Sequence, residues 1–122
     1  MPSSDADWLR KAAAFLGASG VTLGAIGAHA FKETLTKRGA QANWQTATVY
    51  QLFHATALLA LAAQGDAVPL LAGKLMAAGT TMFSGSIYCL CLGIGPKAVM
   101  GPTTPLGGLL MIGGWVVAGL GK

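Results

Sequence analysis

One stretch of the sequence concentrates polar side chains in an otherwise apolar chain. Thr46, Tyr50 and His54 are spaced four residues apart, so on a helix they share one face. A histidine on a membrane helix can bind a ligand or relay a proton, because a polar group there must find a partner. Alternatively, His54 is structural and fixes the register of neighbouring helices through a hydrogen bond. The partners expected for that bond are Ser84, Ser86, Tyr88 or a carbonyl group of the first helix.

A second histidine, His29, lies three residues before Lys32. Near a helix end it can reach water or headgroups, where His29 and Lys32 would hold an anionic headgroup or a partner. Otherwise His29 only closes the connection to the next helix. A haem bound by both histidines is disfavoured, because a rise of 1.5 Å per residue places His29 roughly 3 Å and His54 roughly 15 Å deep. We therefore predict no cofactor.

The remaining residue types argue against catalysis. Glu33 and Asp66 fall in predicted connections, so the predicted spans contain no carboxylate, and no zinc-protease, serine-hydrolase or P-loop motif occurs. Cys89 and Cys91 are two residues apart, which points them to different faces of a helix and favours neither a disulfide nor a metal site. We predict that the protein is not an enzyme.

These polar residues must be positioned by a chain that is mostly apolar. Of its 122 residues, 53% are hydrophobic and only 10% are charged, whereas roughly 25% are charged in soluble domains. Four charge-free runs, 12–31, 39–65, 75–96 and 98–121, each reach the roughly 20 residues that cross a bilayer. This composition excludes a soluble enzyme, a nucleic-acid binder and a disordered tail, and it predicts an integral membrane protein.

The predicted fold is all-α: a polytopic membrane protein whose single domain, residues 1–122, is a bundle of four transmembrane helices. The predicted helices cover residues 8–31, 44–63, 69–92 and 105–120. Asp5 or Asp7 is expected to cap the first helix, and residues 97–104 are expected to be irregular because prolines surround them. The third helix either starts at residue 75 or is longer, with Lys74 extending to the interface.

Glycines predict close packing of these helices. The first predicted helix carries Gly17, Gly20, Gly24 and Gly27, and the last carries Gly107, Gly108, Gly113, Gly114 and Gly119. Small residues let membrane helices approach closely. We expect the backbones of the first, third and fourth predicted helices nearly to touch.

The basic residues do not select a membrane orientation. Four are expected on the side of the two termini: Arg10, Lys11, Lys74 and Lys122. Four are expected on the opposite side: Lys32, Lys37, Arg38 and Lys97. Because the division is even, the positive-inside rule gives no preference.

Several motifs, in this order, resemble one known family. They are GAIGAHAFK at 24–32, WQTATVYQLFH at 44–54, FSGSIY at 83–88, TPLGG at 104–108 and GGW at 113–115. Together they resemble the small four-helix membrane proteins of domain of unknown function 423, the YgdD-like and transmembrane protein 256 family; Ile26 departs from it, since an aromatic residue is common there. The resemblance implies a bacterial or mitochondrial inner membrane and no known catalytic residue. Residues that it places in family motifs are His29, Lys32, Trp44, Tyr50, His54, Ser84, Ser86, Tyr88 and Trp115.

Two functional hypotheses remain. The leading one is a non-catalytic structural protein, an accessory subunit of a larger membrane complex such as a respiratory one, with membrane lipids and other subunits as partners and no nucleic acid. The alternative is a bundle that binds a small molecule or lipid, or a minor transporter, through Tyr50 and His54 with Ser84 and Ser86. The first predicts a filled interior, and the second predicts a polar cavity at mid-membrane.

Overall fold

The part of the chain that can be described is helical. The computed structural model describes residues 4–121, apart from the side chain of Asp66. The predictions for Lys122, on the side of the termini, and for the Asp66 carboxylate, in a connection, therefore concern groups outside the described residues. The elements are α1 (Ser4–Ala28), α2 (Lys32–Lys37), α3 (Gln41–Ala62), a 3-10 turn (Gly65–Ala67), α4 (Leu70–Leu92) and α5 (Lys97–Gly119). No strand occurs in residues 4–121, and the all-α prediction is confirmed.

The four long helices pack largely in chain order. The most extensive contacts join α4 to α5 and α1 to α3, followed by α3 to α4, whereas α1 touches α4 only weakly. The centre of the molecule is therefore the α3–α4 pair, with α1 against α3 and α5 against α4. One core cluster includes Leu58 and Met76, and a second surrounds Trp44 and Tyr88.

The first helix begins and ends earlier than the predicted 8–31, at Ser4 and Ala28. Asp5 and Asp7 lie inside its first turn, where negative charge is favourable beside the helix N-terminus. Asp7 also pairs with Arg10 at 2.6 Å. The prediction that Asp5 or Asp7 caps the helix is wrong, because the helix already contains both residues.

The largest departure from the predicted boundaries is the start of α5. It begins at Lys97 instead of 105, so the segment expected to be irregular is helical through Pro102 and Pro105. Each proline removes one N–H donor, but the carbonyl groups left without that donor belong to exposed residues in the first turns of α5. Helix-breaking prolines are tolerated where the freed backbone groups find other partners. The Thr103 hydroxyl supports this region by bonding the Val99 carbonyl oxygen at 2.6 Å.

Of the two alternatives for the third predicted helix, the longer one is observed. α4 runs from Leu70 to Leu92 and includes Lys74, which is exposed. The helix closes at Gly93, whose φ of +69° favours glycine. There the Gly93 N–H donates to the Leu90 carbonyl at 3.3 Å and the Ile94 N–H donates to the Cys89 carbonyl at 2.8 Å. This pair of bonds is the Schellman pattern, which ends the helix sharply.

Glycines bring the backbones of α4 and α5 into contact. A Cβ atom at Gly79 would lie 2.6 Å from the Gly107 carbonyl oxygen, so the two helices can approach this closely only at glycine. The glycines of α1 instead accommodate α3 side chains. Gly20 lies against Leu52, Gly24 against Thr48 and Gly27 against Trp44. The expectation that the first helix also nearly touches the backbones of the third and fourth predicted helices is wrong, because bulky α3 side chains fill its glycine stripe.

The outer surface is apolar. Phe15, Val21, Phe53, Leu109 and Leu120 are each exposed by between 61% and 73%. Apolar exposure on this scale is unusual for a soluble monomer and suits contact with lipid. By length and composition, α1 and α4 are long and apolar enough to cross a bilayer.

Candidate functional site

Gln51 lies at the centre of the buried polar side chains. From α3 its Nε2 donates to the Leu16 carbonyl at 2.9 Å and to the Ser19 Oγ at 2.8 Å, both on α1. Its Oε1 accepts a hydrogen bond of 2.7 Å from the Tyr88 hydroxyl on α4. One amide thus connects three helices, and it is only 4% exposed.

Trp44 and Tyr88 continue this network toward the end of the molecule that contains α2. The Trp44 indole Nε1 donates to the Leu23 carbonyl of α1 at 2.9 Å. Its ring lies 4.7 Å from the Tyr88 ring and 6.0 Å from that of Phe31, measured between centroids. Both residues therefore combine aromatic packing with a satisfied polar atom, as buried Trp and Tyr side chains usually do.

The two serines of α4 bind different neighbours. Ser84 Oγ donates to the Ala47 carbonyl of α3 at 2.7 Å. Ser86 Oγ donates to the Phe83 carbonyl of its own helix at 3.0 Å and lies 2.5 Å from the Thr104 hydroxyl of α5. We call Trp44, Gln51, Ser84 and Tyr88 the central polar network; Ser86 joins α4 to α5 outside it.

His54 is buried, and both of its ring nitrogens have partners. Trp115 Nε1 lies 3.0 Å from His54 Nε2, and an indole N–H can only donate, so Nε2 is the acceptor. The proton of a neutral imidazole is then on Nδ1, which lies 2.8 Å from the Tyr50 carbonyl oxygen and donates to it. His54 therefore has no free lone pair for a metal or a ligand. The predicted partners of His54, namely Ser84, Ser86, Tyr88 or a carbonyl group of the first helix, are wrong, because its two ring nitrogens bond Trp115 and the Tyr50 carbonyl instead.

The face defined by Thr46, Tyr50 and His54 is only partly buried. Thr46 is exposed and donates to the Ala42 carbonyl of its own helix at 3.1 Å. Tyr50 is 44% exposed, and its ring packs on Phe83 with centroids 4.8 Å apart. The interior face of α3 is rotated from the predicted one and contains Trp44, Ala47, Gln51 and His54.

His29 and Lys32 lie away from the central polar network. His29 follows the end of α1 in a short turn, and Lys32 is the first residue of α2; both are exposed. The turn is held by backbone bonds, including Phe31 N–H to the Ile26 carbonyl at 2.8 Å. The structure thus separates the two histidines: His29 lies at a helix end and His54 in the middle of α3.

Sequence reasoning missed the central role of Gln51 and the pairing of Trp115 with His54. Gln51 lies deep in the charge-free run 39–65, and an amide at that depth must find partners for both of its polar atoms. That requirement could have identified it. The Trp115 pairing had no local signal, since the two residues are 61 positions apart in sequence.

The buried polar side chains serve mainly in contacts between helices. The Gln51, His54, Ser84 and Ser86 side chains are buried and each bonds a neighbouring group. Hydrogen bonds between helices help to hold membrane helices together, where apolar burial gives little preference over lipid. No nucleophile in this set is paired with an activating base.

Comparison with known proteins matches one family. A family described as protein of unknown function (DUF423) matches residues 23–108. A UPF0382 membrane protein of Schizosaccharomyces pombe is 36% identical over 111 residues, covering 84% of this chain and 91% of the relative. The UPF0382 inner membrane protein YgdD of Escherichia coli is 36% identical over 110 residues, covering 86% and 81%.

A third relative comes from another bacterium. The UPF0382 membrane protein YwdK of Bacillus subtilis is 35% identical over 102 residues and covers 80% of each chain. No solved structure gives a significant match. This chain is an integral membrane protein, as its composition, its two apolar helices and the names of these relatives all indicate.

Proposed function

Because the chain belongs to the DUF423 family of membrane proteins of unknown function, we propose that it is a non-catalytic structural protein, an accessory subunit packed against a larger membrane complex. The observation that carries this proposal is the use of the polar interior. Gln51, His54, Ser84 and Ser86 bond groups of the chain itself, all four of them across helices. Polar atoms that hydrogen-bond within the chain stabilise a packed bundle and are not available to a substrate.

We propose further that all four long helices cross the membrane. They contain 25, 22, 23 and 23 residues, and at 1.5 Å per residue each exceeds the roughly 30 Å of a bilayer core. Polar side chains of α3 and α5 have partners within the protein: His54 of α3 bonds Trp115 of α5, and Thr104 of α5 lies within hydrogen-bond distance of Ser86 of α4. The Escherichia coli relative is named as an inner membrane protein, which supports placement in an inner membrane, bacterial or mitochondrial.

One observation favours the alternative of a bundle that binds a small molecule or lipid. The Thr80 hydroxyl is buried without a hydrogen-bond partner in the described part of the chain. A cavity of about 200 Å³ lies beside it, lined also by Ser19, Gln51 and Tyr88. This cavity differs from the predicted site, because Tyr50 and His54 pack on aromatic rings instead. A molecule that co-purifies with the protein and is lost on Thr80→Val would support the alternative.

The accessory role is tested by the size of the particle that contains the protein. The full chain, tagged and expressed in its own host, is solubilised in a mild detergent and separated on a native gel. We expect it to migrate with a complex far larger than its own 12.3 kDa, and mass spectrometry of that band identifies the partner.

A harsher detergent provides the control, since it should release the same protein as a small species. If the chain migrates as a free monomer in the mild detergent while known complexes of that membrane remain intact, the accessory role is wrong.

A further inference from the structure

A cleft with a positively charged lining opens at the end of the molecule where α4 ends and α5 begins. Its volume is about 570 Å³. One wall is formed by the residues that connect α2 to α3, and the others by α4 and α5. The polar side chains that line it are Arg38, Asn43, Lys97 and Thr104, and its apolar lining includes Ile87 and Leu90.

Arg38 is fixed at one wall of this cleft. Its Nε donates to the Cys91 carbonyl at 2.7 Å, which satisfies a carbonyl at the end of α4. Its guanidinium also lies against Gly93, where a Cβ atom would be only 2.7 Å from Nη2. A guanidinium has five N–H donors in a planar fork, so donors remain for a ligand after the bond to Cys91.

The start of α5 adds positive charge to the opposite wall. Lys97 is the first residue of this helix, and the first turn contains no acidic residue. Pro96, at the cap position, makes no side-chain hydrogen bond to the first N–H groups. A helix N-terminus already has a partial positive charge, so a lysine there is unfavourable unless an anion is close.

The chain supplies no anion for this cleft among its described residues. The acid nearest to Arg38 in sequence, Glu33, pairs with Lys37 at 3.0 Å. Within residues 4–121, excluding the Asp66 side chain, no carboxylate forms an ion pair with Arg38 or Lys97. Two cations and a helix N-terminus therefore face one cavity, and none of the described carboxylates neutralises them.

We propose that this cleft binds a phosphate group, that of an anionic phospholipid headgroup at the membrane surface. The guanidinium fork matches two phosphate oxygens, and the lysine ammonium and the α5 N-terminus add attraction for the negative charge. Ile87 and Leu90 form an apolar wall, which the part of the acyl chains next to the glycerol would contact. The proposal does not depend on the accessory-subunit role, because a free-standing bundle would have the same cleft.

Native mass spectrometry of the full chain in a nonionic detergent tests this site. The protein is titrated with phosphatidylglycerol, with phosphatidylcholine and, separately, with sodium phosphate. We expect phosphatidylglycerol to bind more tightly than phosphatidylcholine. Arg38→Gln and Lys97→Gln should each weaken phosphatidylglycerol binding about fivefold, the effect typical of one cation near a lipid surface.

Lys11→Gln is the matched control, since it removes an exposed cation near Leu9, which packs on Gly73 at the start of α4, whereas the cleft lies at the end of α4. It should change phosphatidylglycerol binding by less than about twofold. Lys97→Arg should retain the lipid preference because the charge is kept. Lys97→Gln tests the site even if Arg38→Gln fails to fold, because only Arg38 forms the bond to the α4 carbonyl.

The outcomes separate the sources of the phosphate. If millimolar sodium phosphate displaces phosphatidylglycerol from the unmodified protein but not from Lys97→Gln, the site is supported and its ligand is free phosphate. Equal binding of the two lipids, or a Lys97→Gln variant that binds phosphatidylglycerol as tightly as Lys11→Gln, would overturn the proposal.

Discussion

Within the central polar network, replacing Gln51 should remove the largest number of hydrogen bonds. Gln51→Leu keeps a side chain of similar volume but removes the bonds to Leu16, Ser19 and Tyr88. Hydrogen bonds between membrane helices contribute roughly 0.6 kcal/mol each on average, and the Tyr88 hydroxyl is left without its closest acceptor. We expect the free energy of unfolding in detergent micelles to fall by about 2 kcal/mol, measured by denaturant titration followed by circular dichroism.

Gln45→Leu is the matched control, because Gln45 is exposed on the same helix. Its free energy of unfolding should change by less than about 0.5 kcal/mol. Equal effects of the two substitutions would mean that Gln51 does not join the helices.

The tautomer of His54 is a second consequence at the scale of single residues. Because Trp115 donates to Nε2, the proton is on Nδ1. Nitrogen NMR of the labelled protein should show a protonated Nδ1 and a hydrogen-bonded, unprotonated Nε2. Trp115→Phe should shift the Nε2 signal toward that of a free acceptor, whereas Trp8→Phe should leave it unchanged. A protonated Nε2 in the unmodified protein would contradict the assignment.

The sequence could predict that α3 contains buried polar residues, but it could not predict which face is inside. Spacing of three and four residues tells which side chains share a face. The face that becomes buried depends on neighbouring helices, here on the α1 glycines that receive Trp44, Thr48 and Leu52. For this reason the exposed Tyr50 was predicted as a site residue, while Gln51 was not singled out.

At the scale of elements, the α4–α5 contact depends on glycine. Gly107→Ala would place a Cβ atom 2.5 Å from the Phe83 backbone nitrogen and 2.7 Å from the Gly79 carbonyl oxygen. Both neighbours are backbone atoms, so the helices must separate. We expect a loss of about 1–3 kcal/mol in the free energy of unfolding, the usual cost of overpacking, measured by the same denaturant titration.

Gly85→Ala is the matched control on α4, because a Cβ atom there meets nothing within 4 Å. Alanine has the better helix propensity, by up to about 1 kcal/mol. The two glycine-to-alanine changes should therefore have opposite signs. A stabilising Gly107→Ala would show that α4 and α5 are not in backbone contact.

The helices themselves could be predicted largely from the spacing of charged residues. Apolar runs between Lys11 and Lys32, or Lys74 and Lys97, mark helical segments because a chain in an apolar environment must satisfy its backbone internally. The first eight residues of α5 could not be predicted in the same way. Proline is a reliable helix breaker in water, but Pro102 and Pro105 are near a helix end with exposed carbonyl groups.

For the whole molecule, the four membrane spans that we propose predict which segments share a side. The connection between α2 and α3 should then face opposite to the connection between α3 and α4. In a chain whose Cys89 and Cys91 are replaced by alanine, single cysteines at Lys37 and Gln64 test this arrangement. In sealed vesicles of one orientation, a membrane-impermeant maleimide should label only one of the two.

Detergent-permeabilised vesicles are the control, since both positions are exposed and both should then react. Labelling of both positions in sealed vesicles would show that α3 does not cross the membrane.

The order in which the helices pack also bears on how the chain is made. Each of the two strongest interfaces, α1 with α3 and α4 with α5, joins long helices that follow one another along the chain. A ribosome that feeds the chain into a membrane would therefore release the second helix of each pair with its partner already beside it, and the contacts between the two halves, chiefly those of α3 with α4, must wait for synthesis of the second half. Two half-chains divided within residues 63–69 and co-expressed should consequently find each other and co-purify.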